Sequence, residues 1–226
     1  MSPQYNLKKR HRGFSIVEIM VGMVISLISM IIILQVFSAF EAQKRTTTSG
    51  SDAQTNGAIA LFSMERDLRN AGYGFSLPEA LGCTINSSYN GVNQPPLTLQ
   101  PVIITNGVGG RPDTIQILSS GKGSWSLPTK ITVDHPETAV NVFVSSTLGI
   151  EAGDLMIAYE AGKDCTIFQI TAIPPGNSQL HHYSTSPWNP PGGANIFPPG
   201  GYAVESKLFN VGQMIRLTYA LDAGNT

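Results

Sequence analysis

The chain has 226 residues, with 14 Lys and Arg against 15 Asp and Glu, a formal net charge of −1, and 42% of its residues are apolar. Four of the basic residues precede residue 14, so the remainder carries 10 basic against 15 acidic residues, a net of −5. That balance argues against a nucleic-acid-binding surface, which is basic, and two cysteines with neither C-x-x-C spacing nor a nearby histidine argue against a zinc site or a dithiol redox centre.

Lys8, Lys9, Arg10 and Arg12 form a basic leader over residues 1–13, with no acidic residue among them. From Phe14 to Phe40 the chain reads FSIVEIMVGMVISLISMIIILQVFSAF: 27 residues, 20 of them apolar, with Glu18 the single charge. The 22 uncharged positions from 19 to 40 would span roughly 33 Å as a helix, enough to cross a bilayer core. Basic residues stay on the cytoplasmic side, so the N-terminus is expected inside and the rest exported. The apolar run outlasts an ordinary signal peptide and no A-x-A-like site follows it, so it is expected to remain in the mature protein. In an exported chain the pair Cys83 and Cys165 is most simply one disulfide.

Glu41-Ala42-Gln43-Lys44-Arg45 ends the apolar run at a water interface. The patch Thr46-Thr47-Thr48-Ser49-Gly50-Ser51 is poor in helix formers and is expected to loosen or break a continuing helix. Helical signals resume at Asp52: Ile59, Leu61, Phe62, Met64, Leu68 and Ala71 recur at helical spacing, with Glu65, Arg66, Asp67 and Arg69 among them. Residues 41–72 therefore read as an amphipathic half-helix, with Asn70-Ala71-Gly72 as its stop.

Beyond residue 72 the period changes to short β-rich runs separated by Gly, Pro, Asn and Ser. The expected strands are residues 97–105, 114–118, 130–133, 140–144, 155–160, 165–173 and 215–221, in an antiparallel sheet. Gly149 to Asp154 reads as a tight turn feeding the strand at 155. Residues 174–201, rich in Pro and Gly, read as a long irregular loop, with His181 and His182 as solvated loop residues rather than metal ligands. Trp125, Trp188 and Tyr202 read either as a ligand-binding loop surface or as plugs over a sheet edge. Gly107-Val108-Gly109-Gly110 lacks the Lys-Ser/Thr ending of a phosphate loop. The chain ends as a strand entering a turn, so a returning strand is expected beyond Thr226. The expected fold is α+β: a long N-terminal helix, transmembrane and then amphipathic, packed on an antiparallel β-sheet head at residues 73–226. No nucleophile–base motif, cofactor or metal site is expected, and the chain does not read as an enzyme.

One run carries a family resemblance. Arg12-Gly13-Phe14-Ser15-Ile16-Val17-Glu18, behind a basic leader, resembles the class III signal of type IV prepilins and related pseudopilins, with each position from Gly13 to Glu18 matching. The resemblance implies that prepilin peptidase cuts between Gly13 and Phe14 and methylates the new amine of Phe14. It implies a pilin-like fold and an inner-membrane life with the N-terminus cytoplasmic and the head periplasmic, followed by incorporation into a surface filament. It further implies as partners the inner-membrane assembly platform, other minor and major pilins, and membrane lipid. The stretch ALFSMERDLRNAGYG, then Gly82-Cys83, is similar to PilW-type minor pilins, as are Gly153-Asp154-Leu155 and the Asp164–Thr171 strand. Major pilins carry a helix-breaking proline in the apolar run; none stands between residues 14 and 77 here. A carboxylate in hydrocarbon costs about 2.5–3.5 kcal/mol, so Glu18 needs a partner. The expected partner is the Phe14 amine of a neighbouring subunit, which would set filament register. A lone Glu near a membrane surface also reads as a snorkelling side chain, and the whole helix as a plain signal anchor. Two other roles stay open: a type II secretion pseudopilin, and a membrane-anchored periplasmic binding module using the 174–201 loop.

Overall fold

A computed structural model describes residues 13–122, 127–176, 178–191 and 196–221. The leader before Gly13, Trp125 and the residues after Leu221 lie outside the described residues, as does the expected cation-rich start. The chain divides into two units, the first ending at Phe62 and the second starting at Ser63.

The first unit is helical. Helix α1 runs unbroken over Ile16–Arg69 and buries none of its residues. The expected break at residues 46–51 does not occur. Thr46 and Thr47 donate their hydroxyls to the Ala42 and Gln43 carbonyls at 3.0 and 2.9 Å, and Thr55 does the same to Ser51 at 2.9 Å. Folded back one turn, these hydroxyls no longer compete for the backbone groups that hold the helix. Gly22 causes no break either, and the helix continues straight through it in hydrogen-bonding terms.

In the second unit the helix stops where the sequence indicates. The Asn70 and Ala71 amides turn back to the Asp67 and Leu68 carbonyls, and Gly72 takes φ +73°. A Cβ at Gly72 would sit 2.9 Å from the Pro101 ring, so glycine answers both a left-handed turn and a close approach.

Among the described residues thirteen short strands follow: β1 Thr84–Asn86, β2 Ser88–Tyr89, β3 Val92–Asn93, β4 Leu97–Thr98, β5 Val102–Thr105, β6 Thr114–Ser120, β7 Thr129–Lys130, β8 Asn141–Phe143, β9 Leu155–Tyr159, β10 Cys165–Gln169, β11 Gln179–His181, β12 Lys207–Gly212 and β13 Met214–Tyr219. Six of them make the main sheet, ordered β4-β1-β10-β9-β12-β7, and β13-β6-β5 make a second; β11-β8 and β2-β3 are two-stranded ribbons. The architecture is α+β and pilin-like, as expected, but the main sheet is mixed: β1 runs parallel to β10, with Ile85 opposite Cys165. The expected strand 97–105 is two strands, parted before Pro101, and 165–173 ends at Gln169.

Alternation along the central strands separates two cores. Met156, Ala158, Phe168 and Leu208 join one cluster with Ile131, Val142, Leu180, Phe197 and Tyr202. Leu155, Ile157, Cys165, Ile167, Phe209 and Val211 join the other, with Leu77, Ile85 and Leu99. Successive side chains point to opposite faces of a strand, so the main sheet is covered on both sides. That is why β9 and β10 are each buried at four successive residues rather than at alternate ones.

Two corrections concern the expected loop at 174–201. Part of it is regular: β11 pairs with β8, and Ala172 bridges His181. Asn189 fastens the segment to the end of β10, accepting the Gln169 amide at 2.8 Å and donating to the Gln169 carbonyl at 2.7 Å. His182 is a core residue at 3% exposure, not a solvated one. Its neighbour His181 points the other way, as strand alternation requires, and meets the Tyr183 hydroxyl at 2.7 Å. Tyr202 is fully buried and Trp188 half-buried, its ring 5.1 Å from that of Tyr89 in an edge contact. Both fill the protein rather than present a ligand surface.

Candidate processing and assembly site

Gly13, Phe14 and Ser15 precede the first turn of α1 without helical structure, and the Ile19 amide bonds the Ser15 carbonyl at 3.1 Å. Residues 13–15 are exposed and outside the helix. A Cβ at Gly13 would meet nothing within 4 Å. Packing among the described residues therefore does not require glycine there. Phe14 is 79% exposed.

Glu18 lies in the first turn of α1 and is its only acidic residue there. A carboxylate near a helix N-terminus is favoured by the unpaired amides. No cation among the described residues of the chain pairs with it: the ion pairs of the second unit join other residues, such as Arg69 with Glu65 at 2.6 Å. Glu18 is exposed, as is every other described residue of the apolar run from Gly13 to Phe40. Among the described residues α1 is the one helix long and apolar enough to cross a membrane. Its hydroxyls suit that setting: Ser26 donates to the Gly22 carbonyl and Ser29 to the Ile25 carbonyl, both at 2.8 Å. Each is thus satisfied without water, which hydrocarbon demands.

The segment from residue 8 to residue 34 matches the family model of the prokaryotic N-terminal methylation motif. The chain carries a type IV pilin-like prepilin signal. That motif implies processing by prepilin peptidase and a pilin assembly context, and with the apolar helix it fits a membrane-anchored protein of pilin or pseudopilin type. The match spans the residues that hold Gly13, Phe14 and Glu18 and none of the second unit. Comparison with curated proteins finds no match.

Cys83 and Cys165 form a disulfide, with Cα atoms 5.9 Å apart. It joins the start of β1 to β10, beside the parallel Ile85–Cys165 register, and Cys165 is wholly buried. Among the described residues no group of three or more His, Cys, Asp or Glu could hold a metal. At Gly107 the amide donates to Asp113 Oδ1 at 2.9 Å.

Sequence reading missed two polar clusters. Lys122 Nζ reaches both oxygens of Asp154 at 3.0 and 2.8 Å and Glu151 at 3.1 Å, and Asn210 Nδ2 donates to Asp154 at 2.6 Å. This network links the end of β6 to the turn before β9 and to β12. The second cluster is the pair His135 and His182, whose Nε2 atoms lie 3.0 Å apart. Neither has a sequence signature, because each is assembled from residues far apart in the chain.

Proposed function

We propose that this chain is a minor pilin of the PilW kind, a non-enzymatic structural subunit that primes or caps a type IV filament. One observation carries the reading: Glu18 is the only charge between Phe14 and Phe40 and stands directly behind a Gly-Phe cleavage site. Cleavage after Gly13 exposes a cationic amine on Phe14, and N-methylation keeps that charge. In a bundle of staggered helices, Glu18 of one subunit meets the Phe14 amine of the next. Low dielectric strengthens the pair, and desolvation offsets much of the gain. Its larger effect is on register, since a subunit out of stagger leaves a bare carboxylate in an apolar core.

Before assembly the apolar half of α1 sits in the inner membrane with the second unit in the periplasm. The partners are then prepilin peptidase, the inner-membrane assembly platform, other minor and major pilins, and lipid. The disulfide suits an oxidising compartment. Twitching, adhesion and DNA uptake lie downstream of the filament.

Mass spectrometry of the mature N-terminus tests the reading: the expected product begins at N-methylated Phe14. An intact leader on a functional protein would favour the membrane-anchored binding module instead. A type II secretion pseudopilin shares the signal, so the second measurement is recovery of the chain in filaments sheared from the cell surface. Recovery supports the pilus, and retention in the envelope supports the secretion system.

A further inference from the structure

His135 and His182 are 2% and 3% exposed. They come from segments that share no strand. His135 forms a backbone bridge with Tyr202, donating at 2.8 Å and accepting at 2.9 Å, while the His182 amide bonds the Val140 carbonyl at 2.9 Å. A Cβ at Gly201 would overlap the His135 carbonyl at 1.9 Å, so the His135 segment closes on the Gly201–Tyr202 segment only over a glycine. Around the imidazoles stand aromatic rings: Phe168 is 4.8 Å from His182, and Phe197 is 4.8 Å from His135 and 5.4 Å from His182.

The bonding pattern fixes the tautomers. Buried His135 Nδ1 has no partner, and a proton there would waste a donor. His135 therefore carries its proton on Nε2 and donates to His182 Nε2, an assignment made from the network. An added proton has no good place. On His182 Nε2 it sets two donors against each other at 3.0 Å; on His135 Nδ1 it makes a buried cation with no counter-charge and only its own backbone to receive it.

Nearby charges do not rescue either form. On the 134–137 segment, Asp134 accepts the Val204 amide and Glu137 is exposed. From β11, His181 adds like charge when protonated. From the 196–203 segment, the Tyr202 hydroxyl lies 2.7 Å from the Asp164 carbonyl and 2.9 Å from Thr166. From β10 come Phe168 and Thr166, both uncharged, and the carboxylates of Asp164 and Glu160 act on Tyr202. Burial accordingly pushes His135 down to about 4, and burial with the neighbouring His135 pushes His182 down to about 3.

We propose that His135 and His182 form an acid-release clasp: protonating the pair frees the β8–β11 ribbon and residues 196–202 from one face of the main sheet, uncovering Phe168 and Phe197. The opposite face, which carries the Cys83–Cys165 bond, stays folded. The unfolded segment binds protons near the ordinary 6.5 and the folded one only near 4 and 3. Local stability is therefore full above the ordinary value and is lost as pH falls toward the folded ones. The conformational step is a sub-global opening, in which one cooperative unit melts before the rest.

The test uses the full chain in detergent micelles. Imidazole nitrogen NMR follows both rings, and amide hydrogen exchange follows the backbone, from neutral pH down to about 4. The expected result is that both rings stay neutral while folded, and that on acidification residues 140–143, 179–182 and 196–202 lose at least about tenfold in protection before Ile157 and Ile167 do. Protonation of either ring with those amides still protected would overturn the clasp, as would simultaneous loss across the whole sheet. The double variant His135→Phe, His182→Phe is expected to keep its protection over the same range. If it folds and opens at the same pH as the wild type, carboxylates and not the histidines are responsible, and the proposal fails. If it does not fold, the wild-type titration decides alone.

Discussion

The phenol of Tyr219, near the end of β13, donates a 2.6 Å hydrogen bond to Asp67 Oδ2 in the last turns of α1. The Tyr219 hydrogen bond, with Arg66 adding to it, holds the Asp67 carboxyl below the ordinary 3.8 against the opposing effect of burial. The depressed carboxyl contributes to stability above that ordinary value, and the contribution is lost as pH falls through the folded one. Tyr219→Phe is therefore expected to raise the Asp67 midpoint back toward the ordinary value. Carbon NMR titration of the Asp67 side chain would read the shift directly, and an unmoved midpoint would remove Tyr219 as its main cause.

Glu18→Val should insert into the membrane at least as well as the wild type, because it removes a cost of about 2.5–3.5 kcal/mol in hydrocarbon. It should nonetheless be depleted from sheared filaments when wild-type subunits compete. Quantitative blotting of membrane and sheared fractions separates the two effects. Equal incorporation of the variant would end the register argument.

Gly13→Val should accumulate as an uncut precursor. Since a Cβ there meets nothing among the described residues, the fold of the second unit should be unchanged, as judged by disulfide formation and thermal unfolding. A processed Gly13→Val protein would count against cleavage at this bond.

Replacing both Cys83 and Cys165 with serine should cost about 4–5 kcal/mol in the chain-entropy picture, since the bond closes a long loop. Denaturant unfolding of the oxidised wild type against the double variant gives the value. A loss below about 1 kcal/mol would mean that the reduced chain already holds β1 against β10.

Lys122→Met removes the cation from a nearly buried carboxylate that Asn210 and the Glu151 amide still hold. Leaving Asp154 without its counter-charge should cost about 3 kcal/mol. The pair Lys122→Met with Asp154→Leu should cost less than Lys122→Met alone, because no uncompensated charge remains. A double-variant cycle by thermal unfolding would show the difference, and strict additivity would argue against a direct interaction.

The processing signal was legible because its chemistry restricts residue type at every position from Gly13 to Glu18. The long helix was legible from its period. The expected break at Thr46–Ser51 misjudged side chains that can satisfy themselves on the preceding turn. Strand β12 was missed altogether: Asn210 interrupts its apolar run, and its buried amide is satisfied by Asp154, the Gly149 carbonyl and the Gly212 amide, which come together only in the fold. The parallel β1–β10 pairing has no local signal, as register between distant segments is decided by packing on both faces. His182 was misread because the surrounding Pro, Gly and Ser suggest solvent, while its burial depends on Phe168, Phe197 and His135 arriving from elsewhere. Local chemistry was visible in the sequence; of the contacts closed over long separations, only the Cys83–Cys165 disulfide was, because cysteine is identifiable by residue type alone.

The position of the cross-link also governs how the chain bears tension. A pull applied along α1 reaches Cys83 soon after the helix ends at Arg69, and the sulfur bridge passes it straight to Cys165 in the middle of the main sheet. Everything between those two cysteines lies off the covalent load path, and is tied to the segment before Cys83 only by noncovalent contacts such as the hydrogen bond from Gly72 to Leu118. Strands β1 to β9 can therefore be displaced sideways but not reeled out from the N-terminal end while the bond is intact.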